Sequence, residues 1–72
     1  MNLGEAKLNS RVIIDKINLG IEDRCRLYNL GINIGDMVVI KGKYFGSVLL
    51  EIKGVLLGLS KFYVKEIMVE YE

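Results

Sequence analysis

The sequence contains no histidine and no proline, and Cys25 is its only cysteine. The missing imidazole removes the commonest general base and the commonest transition-metal ligand together. A lone thiol closes no intramolecular disulfide and builds no zinc site without partners. The expected setting is therefore a reducing compartment, the cytosol by default, with no cofactor and no soft metal centre within one chain. Without proline, loop geometry rests on the 8 glycines, which preset it less firmly. Long hydrophobic runs are missing too: the longest, residues 54–59, falls far short of the roughly 20 apolar residues that cross a bilayer. Residues 1–7 carry Glu5 early and no apolar stretch, unlike a secretion signal. A net charge of +1, with acidic and basic residues interspersed, lacks the concentrated basic face of proteins that neutralise phosphates, so no nucleic-acid partner is expected.

What is present is a short, apolar chain. Its 72 residues, 51% of them hydrophobic, have a mean hydropathy of +0.32. They read as one domain over 1–72, close to the lower size limit for a core that folds without staples. A chain this small leaves part of its apolar surface exposed or set against a partner.

Residues 23–40 organise the rest: the back half of a helix, a glycine stop, a turn on a second glycine and a buried strand. The spacing predicts a helix over 21–30, with Ile21, Cys25 and Tyr28 on one stripe, Leu27 and Leu30 on the next, and Glu22, Arg26 and Asn29 opposite. Arg24 falls inside the apolar arc, which marks the Arg24–Tyr28 side as a rim or contact surface. Gly31 is the left-handed cap, and Gly35 makes the turn into a strand over 37–41 with Val38 and Ile40 inward. Before the helix, a helical turn within 3–8 precedes a β-branched strand over 11–17, with Val12 and Ile14 on one face and Ile13, Asp15 and Ile17 on the other. After a loop over 42–46 come strands over 47–53 and 55–60 joined at Gly54, a helical turn over 61–66 and a last strand over 67–70. The fold class is mainly β: a small, curled, antiparallel barrel of about five strands, SH3-like or OB-like, with one inserted helix and short helical turns.

Catalytic constellations are missing. Cys25 sits mid-helix with no base and reads as a small packed hydrophobe rather than a reactive thiol. The glycines at 54 and 58 have the wrong spacing and order for a phosphate loop. Glu66, Glu70 and Glu72 could meet a hard cation only as carboxylates alone, and a solvated acidic C-terminus is the simpler reading. Binding by shape remains. Arg24, Arg26 and Tyr28 on the helix, with Lys41, Lys43, Tyr44 and Phe45 at the loop, have the basic and aromatic composition that anchors protein interfaces. In the competing reading Tyr44 or Phe45 plugs the barrel end and the charges are merely solvated.

Two patterns carry a family resemblance. The first is Leu27-x-x-Leu30-Gly31-Ile32-x-x-Gly35-x-x-Val38, preceded by an arginine-rich helix. The second is Gly46-x-Val48-x-Leu50-x-Ile52-x-Gly54, leading to Leu57-x-Leu59-Ser60-Lys61 and Ile67-x-Val69. Together they resemble the FeoA family, the small cytoplasmic component of bacterial ferrous iron uptake. Arg24, Leu27, Leu30, Gly31, Gly35 and Gly54 match positions typical of it. The resemblance implies an SH3-like barrel with no enzymatic activity of its own, in the setting of ferrous iron transport, transition metal ion binding and GTPase regulation. Its implied partner is FeoB, a membrane GTPase and ferrous iron transporter, which it modulates or helps assemble and through which alone it meets the membrane. The first helix and the Tyr44–Phe45 loop are the implied contact sites, and weak homo-oligomers stay open. The chain departs from the family at Ile34, where many members carry proline, at Tyr44-Phe45-Gly46, where others have loop prolines, and at Cys25, where others have a basic residue. The alternative is a free-standing regulatory domain related to the SH3-like C-terminal domain of iron-dependent repressors.

Overall fold

A computed structural model describes residues 1–72. Five antiparallel strands form one sheet in the order β4-β3-β2-β1-β5: β1 (Arg11–Ile17), β2 (Met37–Tyr44), β3 (Ser47–Ile52), β4 (Val55–Leu59) and β5 (Ile67–Tyr71). Helix α1 (Ile21–Asn29) lies between β1 and β2, and α2 (Lys61–Val64) between β4 and β5, while a one-turn 3-10 helix spans Leu3–Glu5. Asn2 caps that first turn: its side chain accepts from the Glu5 N–H, and its own N–H donates to the Glu5 carboxylate at 2.8 Å, a reciprocal capping box.

Alternation along the strands gives the core its members. Val12 and Ile14, Val38 and Ile40, Val48, Leu50 and Ile52, and Ile67 and Val69 all turn to the concave face, where Leu3, Ala6, Leu27, Ile32, Leu59 and Val64 close over them in a single cluster of 15 buried residues. No polar or charged side chain is buried, so burial of apolar area is the stabilising term, on the order of 2 kcal/mol for each fully buried aliphatic side chain.

Two bulges curl the sheet and change which side chains face in. The β1–β5 register shifts between Ile14 and Lys16, and the β2–β3 register between Ile40 and Gly42. Each extra residue reverses the inside–outside parity beyond it. Ile17, expected on the outer face with Ile13 and Asp15, therefore lies opposite buried Ile67 and packs against the core. Beyond Lys41, Lys43 falls opposite buried Val48, while Gly42 and Tyr44 pair with Leu49 and Ser47 on the outer face. The Tyr44 ring lies over Gly42, where an added Cβ would come within 2.6 Å of it.

The expected loop over 42–46 is instead the end of a hairpin. β2 runs on to Tyr44, and the turn is Phe45-Gly46 alone. Both turn residues have positive φ (53° and 88°), as do Lys53 and Gly54 (51° and 80°) in the β3–β4 hairpin, which is what a two-residue type I′ turn requires. Gly31 and Gly35 take φ of 91° and 93°, at the helix stop and the turn that the sequence marks.

Candidate functional site

Helix α1 starts from Gly20 without a side-chain cap, with Glu22 and Asp23 in its first turn to complement its exposed N–H groups. It ends where the Gly31 N–H donates to Tyr28 and the Ile32 N–H to Leu27, both at 2.9 Å. The next turn is held by Asp36, whose carboxylate accepts from the Asn33 N–H at 3.0 Å, and it is pinned to β1 by the Gly35 N–H bonding the Ile14 carbonyl at 2.7 Å. These bonds set helix and turn side by side.

The helix meets the core through one side chain only. Leu27 is fully buried, whereas Ile21 is 80% exposed, Tyr28 68% and Leu30 50%, and Cys25 is exposed as well. The packed Cys25 expected from the sequence is therefore not what the fold makes. A nine-residue helix seated at the end of a curled sheet reaches the core with a single position, so the rest of its apolar arc faces outward. That arc and the following turn enclose an open groove of about 420 Å³ lined by Ile17, Ile21, Arg24, Cys25, Tyr28, Ile32, Asn33 and Ile34. Arg24 is its only charged residue, and it forms none of the molecule's three salt bridges. The groove's character is apolar, with one free cation at the edge.

The structure separates the sequence-predicted site residues into four places. Arg24 and Tyr28 share the groove. Arg26 points the other way: its guanidinium makes a long 3.5 Å contact to the Tyr63 hydroxyl and a 3.5 Å ion pair with Asp23, and that hydroxyl donates to Asp23 at 3.1 Å. Tyr63 first, then Asp23, raises the Arg26 pKa above its ordinary value, and the Tyr63 contact links α1 to α2. Lys43, turned by the bulge at Lys41, donates to the Gly4 carbonyl at 3.1 Å and ties the first turn to β2. Tyr44 and Phe45 stand at the β2–β3 hairpin, 60% and fully exposed, so neither plugs the barrel. The single basic and aromatic patch expected from composition is not assembled.

Ile21, Ile32 and Ile34 line the groove without having been picked out as site residues, though the over-wide apolar arc of the helix was the signal for them. At the acidic C-terminus Glu72 pairs with Arg11 at 3.2 Å, and no three His, Cys, Asp or Glu side chains gather into a metal-holding group. No helix is long and apolar enough to cross a membrane.

A curled five-stranded antiparallel sheet with a helix inserted after its first strand, and an apolar groove beside that helix, defines a small SH3-like domain. The family model of the FeoA domain matches residues 1–71, and the chain belongs to that family. Among solved structures it is similar to a FeoA-like protein from Clostridium acetobutylicum, with 29% identity over 99% of this chain and 85% of that one and a TM-score of 0.84. It is also similar to the FeoA protein of Chlorobium tepidum, at 22% identity over 99% and 70% of the two chains, with a TM-score of 0.88. ScaR with bound zinc shares the fold, at 22% identity and a TM-score of 0.90, over 100% of this chain and 37% of that one. No matching sequence was found among curated proteins.

Proposed function

We propose that this chain is a cytoplasmic accessory protein of ferrous iron uptake. It docks on a FeoB-type membrane GTPase and transporter, modulates or helps assemble it, and meets the membrane only through that partner. It acts by binding and performs no turnover. Membership of the FeoA family supports the setting. The observation that carries the docking mode is the α1 groove, an exposed apolar surface beside the uncompensated Arg24 guanidinium. Such a groove takes an apolar segment with a carboxylate beside it, the aromatic–arginine pairing that dominates interface energetics. Fully exposed Phe45 at the hairpin tip is a second, peripheral contact.

The test is capture of the cytosolic region of the FeoB-type transporter by the purified chain under reducing conditions, with and without guanine nucleotide. Tyr28→Ala and Arg24→Ala are each expected to weaken binding about tenfold or more while leaving the circular dichroism unchanged, because neither side chain is part of the buried core. Failure of the unmodified chain to bind in either nucleotide state overturns the proposal. The fold shared with ScaR favours a second reading, a regulatory domain acting on a repressor. Co-purification with a repressor or its DNA in place of the transporter would select it.

A further inference from the structure

The two edges of the sheet are treated differently. At the β5 edge the chain's own N-terminus closes over the strand: the Val69 N–H donates to the Met1 carbonyl at 2.8 Å, and Asn2 bridges Met68. The β4 edge has no cover. Its residues, Val-Leu-Leu-Gly-Leu, carry no charge, and the pairing with β3 runs without a bulge, so the usual guards against edge-to-edge pairing are missing. The hairpin register alternates the backbone groups. Val55, Leu57 and Leu59 bond toward β3, and the N–H and C=O groups of Leu56 and Gly58 point outward. None of the backbone hydrogen bonds outside the regular elements involves either residue.

Gly58 has no role inside the monomer. Its φ is not among the positive ones, and an added Cβ would meet nothing within 4 Å. A glycine within a strand weakens it, and commonly marks the close approach of another group. Over Gly58 lies a hollow of about 310 Å³ on the outer sheet face, bordered by Tyr44, Ser47 and Leu49. Two residues before it, on that same face, Leu56 projects 58% exposed.

We propose that the β4 edge is the seam of a homodimer, in which β4 pairs antiparallel with β4 of a second copy about a two-fold axis at Leu57. That axis is the one that uses every outward group: the Leu56 N–H and C=O bond those of Gly58 in the second copy, and the reverse. Residues directly opposite share a face, so each Leu56 enters the hollow over the other copy's Gly58 and packs on Leu49. Knob and hollow belong to one strand, so the surface is self-complementary.

Sedimentation equilibrium of the whole chain from micromolar to millimolar concentration tests the seam. A monomer–dimer equilibrium is expected. Gly58→Val fills the hollow and adds a β-branched strand residue. It is expected to raise the melting temperature of the dilute monomer while raising the dissociation constant about a hundredfold or more. A merely structural effect would not move these two readouts in opposite senses. In a mixed-label sample, intermolecular nuclear Overhauser effects should join the Leu56 methyls to the Gly58 α-protons. A chain monomeric throughout, or a Gly58→Val variant that dimerises as before, would overturn the inference.

Discussion

Phe45 occupies the first position of the β2–β3 turn at a φ of 53° with its ring fully in solvent. A bulky residue in the left-handed region costs roughly 1 kcal/mol that asparagine largely avoids, and solvent gives the ring no packing in return. Phe45→Asn is therefore expected to raise stability by about 0.5–1 kcal/mol in denaturant titration, while weakening capture of the transporter if the ring is a contact. Its neighbour Gly46 has the opposite constraint, since its φ is 88° and an added Cβ would come within 3.1 Å of the Lys61 side chain. Gly46→Ala should lower the urea midpoint, at a cost of about 1–2 kcal/mol. The sequence placed a loop over 42–46 here. It left open whether the aromatics were inside or outside, because that depends on the bulge at Lys41, a relation between two strands that neither strand carries alone.

At the level of elements, α1 shows how far periodicity carries. Its extent was legible: the spacing predicts 21–30 and the helix is Ile21–Asn29, capped at Leu30 with Gly31 left-handed. Its inward face was not. Ile21, Cys25 and Tyr28 form as good an apolar stripe as any, yet only Leu27 is buried. Leu27→Ala is accordingly expected to cost about 2–5 kcal/mol, read as a lower melting temperature and loss of helical ellipticity. Ile21→Ser, on the supposed core stripe, should change stability by no more than about 0.5 kcal/mol. The same reversal explains the groove: an apolar arc that cannot reach the core becomes surface, with Arg24 at its edge. Arg26, two residues along on the opposite side, is committed to Asp23 and Tyr63 and stands apart from the groove.

Across the whole molecule, one apolar cluster without a buried polar group holds every element, and the surplus apolar surface that composition required emerges in separate places: the α1 groove, the β2–β3 tip and the β4 edge. Local chemistry was enough to determine the order of strands and helices, the turns at Gly31, Gly35 and Gly54, and the inward set Val12, Ile14, Val38 and Ile40, because backbone preference and a period of two act within a few residues. Tertiary structure alone decided the rest. Bulges at Asp15 and Lys41 reversed the facing of Ile17 and Lys43, the curl of the sheet left Cys25 and Tyr28 outside, and the strand order left β4 with a bare edge. Each of these is a relation between segments distant in the chain, and a face becomes inner or outer only when another segment arrives to cover it.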